Sequence, residues 1–126
     1  MLKKHNAVTC WLALEKVDEE NGCIRYVRGS QRRGMRHHEL SGVFGFSLGI
    51  TDYGAQDEKD EVPICLQAGD AVIHHSMTIH RTDANPSKRL RRAIGLIYYA
   101  QQARIDEEAS KHIETIHEQW KASDNL

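Results

Sequence analysis

Histidine is the first chemistry to weigh, because eight of the 126 residues are His and imidazole is the commonest protein ligand for transition metals. Three of them, His74, His75 and His80, lie close together in the chain. On a straight strand, at roughly 3.3 Å per residue, His74 and His80 share a face but sit about 20 Å apart. They reach one metal ion together only if the chain folds back between them; otherwise one is a hydrogen-bonded interior histidine and the others lie at the surface. His112 and His117 are five apart and do not share a helical face as an i, i+4 zinc pair does. Residues 25–38 and 81–92 form two basic runs. Arg32, Arg33 and Arg36 could meet an anionic substrate, or the run could be a solvated loop balancing the acidic residues 52–61. Cys10, Cys23 and Cys65 are odd in number and contain no Cys-x-x-Cys pair, which reads as buried free thiols.

The elements that must position these groups read as strands. Short apolar runs punctuated by turn residues give the spacing of an all-β sandwich or barrel. Residues 7–14 carry no charge and are rich in β-branched and aromatic types, so they read as a strand buried on both faces. Asn21-Gly22 makes a tight turn into a strand over residues 23–27. A short apolar piece spans 43–48, and the acidic residues 52–61 read as a solvated loop. Pro63 marks the strand at 62–66 as a sheet edge or a strand start. Gly69-Asp70 turns the chain into a strand at 71–75, and an extended piece continues to His80. The last strand runs from Arg91 to Tyr99, with Arg91 in the alternation of Ala93, Gly95, Ile97 and Tyr99, and Arg92 on the opposite side. Ile105, Ala109, Ile113, Ile116 and Trp120 then recur at helical steps, an amphipathic helix over 104–122 whose stripe packs on a core.

Composition bounds the reading. With 40% hydrophobic and 28% charged residues, the chain is one globular domain over 1–126 with a β-core at 6–100. Seventeen Lys and Arg against eighteen Asp and Glu give a net charge of −1, which provides no overall field for nucleic acid or anionic lipid. No apolar run reaches the eighteen or more residues of a membrane span, and the first six residues lack the apolar stretch of a secretory signal. A cytoplasmic protein with no nucleic-acid or membrane partner is expected.

An ordered set of motifs then resembles one family. Gly69-Asp70, a hydrophobic strand, His80, Thr82, Asn85, Ser87 and Arg91 match the distal half of the phytanoyl-CoA dioxygenase family. Its members read Gly-Asp, strand, His, a small or hydroxyl residue two on, Asn-x-Ser, and Arg eleven positions after the His. Upstream, Trp11-Leu12-Ala13-Leu14, Asn21-Gly22-Cys23-Ile24 and Arg28-Gly29-Ser30 resemble the family's Trp-x-Ala-Leu, Asn-Gly-x-Leu and Pro-Gly-Ser-His segments. The resemblance implies an all-β core, a double-stranded β-helix of jelly-roll or cupin type. It also implies an enzyme that binds Fe(II) through two His and one Asp and uses 2-oxoglutarate as cosubstrate to hydroxylate a small molecule, such as an acyl-CoA or another organic-acid derivative. Within it, His80 corresponds to the distal iron ligand and Arg91 to the residue gripping the far carboxylate of 2-oxoglutarate. Thr82 would add a hydroxyl to that carboxylate, and Trp11 would line the cosubstrate pocket.

One part of the pattern is missing. The family's His-x-Asp precedes the Trp of its first recognisable strand by some fifteen to twenty residues, and no His-x-Asp occurs in these 126 residues. Gln31 and Arg28 depart from the family's His and Pro. The expectation is therefore a domain incomplete at its N-terminus that binds iron poorly and turns over little. Its rivals are a non-catalytic small-acid-binding module derived from the fold, and a site completed by self-association or by a complementary N-terminal piece pairing with an exposed first strand.

Overall fold

The computed structural model of the protein describes residues 7–43, 46–104, 106–108, 110–111, 114–115 and 118. Uncharged, β-branched runs become strands, and the polar and glycine-bearing segments become the turns between them. The strands are β1 (Ala7–Ala13), β2 (Ile24–Val27), β3 (His38–Val43), β4 (Phe46–Ile50), β5 (Glu61–Ile64), β6 (Ala71–His75), β7 (His80–Thr82) and β8 (Ala93–Tyr99), with one short helix, α1 (Ala55–Asp60). Two three-stranded antiparallel sheets, ordered β6-β1-β8 and β5-β2-β7, carry the architecture, and β3 pairs with β4 beside them.

Register fixes which residues share a face, because directly paired residues project to the same side. In the first sheet, Thr9 pairs with His74 and Ile97, and Trp11 with Val72 and Gly95. In the second, Tyr26 pairs with His80 and Val62, and Ile24 with Thr82 and Ile64. The Tyr26 hydroxyl lies 2.7 Å from His74 Nδ1, so these two sets of residues face each other across the sheets. Below them Ala13, Val17 and Cys23 form the fully buried cluster, with Trp11 and Leu66 packed against it. Val17 and Leu66 exchange both backbone hydrogen bonds, at 2.8 and 2.9 Å, which binds the end of β1 to the end of β5.

Several expectations change. β1 is the central strand of its sheet, with neighbours on both sides, and is neither exposed at an edge nor buried on both faces; among the described residues the sheet's edges are β6 and β8. The acidic stretch contains α1, and Asp57 within it is buried because Arg36 and Arg33 reach it. Of the piece at 43–48, Val43 ends β3 and residues 46–48 lie in β4, while 44 and 45 lie outside the described residues. Residues 76–79 turn the chain instead of extending it. Of the three thiols only Cys23 is buried, Cys10 is half-buried and Cys65 is exposed, all free. Pro63 does lie on an edge strand, β5, where its missing N–H breaks no ladder bond. The helical stripe from Ile105 to Trp120, with His112 and His117, lies outside the described residues.

Candidate functional site

His80 opens β7, and three hydrogen bonds place it. The carbonyl of Ile79 accepts from Val27 N at 2.9 Å, and the N–H of Ile79 donates to the buried Ser30 hydroxyl at 2.8 Å. Ile79 is thus pinned to β2 and to the turn that follows it. The His80 ring is oriented by its Nδ1, 2.8 Å from the carbonyl of Thr78. A carbonyl only accepts, so Nδ1 holds the proton and Nε2 presents a lone pair. That is how a metal-binding imidazole is usually held.

The turn at 76–79 does what a straight strand could not. It carries the chain from β6 in one sheet to β7 in the other, and the rings of His74 and His80 meet with centroids 4.8 Å apart. Tyr26 packs against both, at 4.9 and 5.9 Å. Burial pushes the Tyr26 hydroxyl up to about 12. Burial, with the nearby His80 second, lowers His74 to about 4, so both are neutral at neutral pH. His75 faces the other way, and its Nδ1 accepts from Met77 N at 3.1 Å within the turn.

Arg91 is positioned by three consecutive residues that dock on the turn after β1. Arg89 pairs with Asp18 at 2.6 Å and with Glu20 at 3.1 Å. The carbonyl of Leu90 accepts from the fully buried Asn21 amide at 3.3 Å, and Arg91 Nη1 donates to the carbonyl of Gly22. Gly22 has φ +78°, and a Cβ there would stand 2.6 Å from the Asp83 carbonyl oxygen. Only glycine lets β2 begin so close to the end of β7, where Thr82 pairs with Ile24. Asn85 and Ser87 brace the same loop: Asn85 donates to the Arg89 carbonyl at 2.7 Å and accepts from Ser87 N at 3.0 Å.

Arg91 differs from the other half-buried arginines, while the exposed Arg28, Arg32 and Arg104 likewise have no carboxylate ion pair among the described residues. Arg25, Arg33, Arg36, Arg81, Arg89 and Arg92 each pair with carboxylates. Arg91 is half-buried, and among the described residues no carboxylate pairs with it. Of the three candidates for an anionic substrate by sequence, Arg33 and Arg36 are occupied by Asp52, Asp57 and Asp60, and Arg32 is exposed with no carboxylate ion pair among the described residues. Arg92, which like Arg91 precedes β8 although the last strand was expected to open at Arg91, reaches Glu15. Trp11 shares the inner face with His74 and stands opposite Gly95, where no side chain intervenes. The structure thus brings His80, Thr82 and Trp11 to facing surfaces and anchors Arg91 at the Thr82 end. Thr82 itself is exposed.

A model of the family described as phytanoyl-CoA dioxygenase (PhyH) matches residues 2–93. The chain belongs to the phytanoyl-CoA dioxygenase family. Peroxisomal phytanoyl-CoA dioxygenase of Bos taurus is 31% identical over 94 residues, covering 71% of this chain and 27% of that protein. Methylphosphonate hydroxylase of Gimesia maris is 30% identical over 95 residues, covering 75% and 34%. Among solved structures, the epimerase SnoN in complex with Fe3+, alpha ketoglutarate and nogalamycin RO superposes with a TM-score of 0.63 at 26% identity, over 79% of this chain and 37% of that one. The chain spans about a quarter to a third of the length of these curated relatives. No helix among the described residues is long and apolar enough to cross a membrane.

Four residues of this phytanoyl-CoA dioxygenase family member have positioning roles that the sequence does not assign, although His74, Asn21 and Ser30 each lie in a motif it picks out. Ser30 and Asn21 look like ordinary polar residues until their complete burial is seen. Tyr26 and His74 sit in different strands, and only the crossing from β6 to β7 joins them. The Asn-Gly turn was the one available clue, since it marks where a left-handed residue must stand.

Proposed function

We propose that this chain carries the distal part of an Fe(II)- and 2-oxoglutarate-dependent dioxygenase site acting on a small molecule, with His80 as iron ligand and Arg91, Thr82 and Trp11 around the cosubstrate. The fold reading that goes with it is the corresponding part of a double-stranded β-helix. The observation that carries the proposal is Arg91: a half-buried guanidinium, fixed by one donor to the Gly22 carbonyl, with no carboxylate partner among the described residues. A planar fork with donors to spare fits a carboxylate in two-point contact. Thr82 lies at the same end of the second sheet and offers a hydroxyl to the bound acid. Trp11, opposite Gly95, provides an apolar wall. When bound in a complete site, ferrous iron would activate dioxygen, the oxidant for C–H hydroxylation, and 2-oxoglutarate would supply the other two electrons as it is decarboxylated to succinate.

The fit to iron is partial. A facial triad needs two imidazoles and a carboxylate, and among the described residues no group of three or more His, Cys, Asp or Glu could hold a metal ion. With no His-x-Asp in its 126 residues, this polypeptide alone is expected to form little or no succinate with iron, ascorbate and 2-oxoglutarate.

That shortfall favours a second reading, a small-acid-binding module without metal chemistry. Calorimetric titration with 2-oxoglutarate, with and without Ni2+ as an inert substitute, separates the two. The dioxygenase reading expects binding that strengthens with the metal and is lost in Arg91→Ala. Metal-independent binding abolished by Arg91→Ala supports the module, and binding indifferent to Arg91→Ala overturns both. Substantial succinate from the pure chain would refute the expectation of weak turnover.

A further inference from the structure

His74 has no place in the motif pattern that picks out His80, Thr82 and Arg91, yet it is the side chain that meets His80 across the two sheets. Their ring centroids are 4.8 Å apart with planes inclined by 52°. Each ring has its Nδ1 engaged, His80's by the Thr78 carbonyl at 2.8 Å and His74's by the Tyr26 hydroxyl at 2.7 Å. The nitrogen left on each ring is Nε2. With a metal–nitrogen bond of about 2.1 Å, each centroid would stand about 3.2 Å from an ion held by both Nε2 atoms, and rings 4.8 Å apart would then subtend roughly a right angle at it. That is the angle between neighbouring positions of an octahedron.

Tyr26 makes the arrangement adjustable. A phenol both donates and accepts. Turned one way, it gives its proton to His74 Nδ1 and leaves Nε2–H. Turned the other, it accepts from Nδ1–H and frees the Nε2 lone pair.

We infer that His74 and His80 form a two-imidazole site for a divalent transition metal, with Tyr26 as the positioning residue that sets the His74 tautomer. The inference rests on His80 being a metal ligand, and it adds a ligand from this chain where the family's His-x-Asp is missing. Imidazole pairs suit Fe, Ni, Cu and Zn, and affinity rises from Fe2+ through Ni2+ to Cu2+. Ni2+ is therefore a stable and tighter-binding probe. The half-buried His74 and exposed His80 leave the ion a route from solvent.

The experiment is Ni2+ titration of the tag-free full chain by calorimetry, with histidine ring resonances followed by NMR. One equivalent is expected to bind, broadening the His74 and His80 ring signals before that of the exposed His37. His74→Phe and His80→Ala are each expected to weaken binding at least tenfold. Tyr26→Phe should weaken it roughly tenfold, the lower end for loss of a ligand's hydrogen-bond partner. His37→Ala should bind as wild type does. Loss in His80→Ala with wild-type binding in His74→Phe overturns the pair and leaves the His80 reading standing. Wild-type binding in both variants overturns both readings, and loss only in His74→Phe overturns His80 and with it the pair. The broadening is read on the unaltered protein, so a variant that folds poorly cannot decide the matter: broadening that spares His74 sinks the inference by itself.

Discussion

In the β5-β2-β7 sheet the middle strand is closed off, with Ile24 at 3% and Val27 at 1% exposure, while its outer side is covered by charge. Arg25 reaches Glu19 and Asp83, and Arg81 reaches Glu61 at 2.7 Å. In the β6-β1-β8 sheet the middle strand is half open, and the side turned away from the site shows Val8, Ile73, Ile94, Leu96 and Tyr98 to solvent. The β5-β2-β7 sheet has the surface of a finished protein. The β6-β1-β8 sheet presents an apolar face of the kind that marks an interaction surface or an aggregation hazard. His80 and Thr82 belong to the finished sheet, Trp11 and His74 to the open one. Site geometry therefore depends on the links between sheets: the Tyr26 hydroxyl to His74, and Asn21 and Gly22 to residues 90 and 91.

The largest way to break the contrast is to cut a link. Gly22→Val places a β-branched side chain at φ +78° against the Asp83 carbonyl, and is expected to cost about 2–4 kcal/mol by urea denaturation and to abolish 2-oxoglutarate binding. An unchanged denaturation midpoint would mean the turn is not structural. A smaller effect should come from the open sheet: Leu96→Thr on its outward side is expected to shift stability by no more than about 0.5 kcal/mol. It should also reduce concentration-dependent light scattering. A large loss of stability there would show that this face is already buried in solution.

The smallest effect is electrostatic. The Arg89 hydrogen bond holds the Asp18 carboxyl at about 2, below its ordinary 3.8. A depressed carboxylate contributes stability that is full above its unfolded value and is lost as protons bind to the folded form. Melting midpoints should accordingly fall as pH drops from about 4 toward 2, and Arg89→Ala should flatten that slope. An equal slope in the variant would place the acid sensitivity elsewhere.

β1, β6 and β8 were legible because their residues are apolar and uncharged over runs of the right length, whereas β3, with His38 and Glu39, was not expected as a strand; Pro63 identified an edge because a missing N–H excludes the centre of a sheet. Arg91 and His80 were singled out by the motif spacing of the family resemblance. The partnership of His74 with His80 was not, since spacing along one strand says nothing about a chain that changes sheets between them. Residues 76–79 alternate like a strand, and hydrogen bonds make them a turn: Thr78 N donates to the His75 carbonyl at 2.9 Å, and Ile79 is held by Val27 and Ser30. The acidic stretch misled for a related reason: nothing local tells Asp57, which two arginines accompany into the interior, from its solvated neighbours.

The short crossing between β6 and β7 also works as a gauge. His74 is fastened to the first sheet by β1 and His80 to the second by β2, so any slip of one sheet over the other is read at once in the separation of two rings. The Tyr26 ring, resting on both, reports it as a change in aromatic environment. Near-ultraviolet dichroism of this single tyrosine contact would follow the sheets coming into register as a covering segment, a ligand or an ion engages the open face.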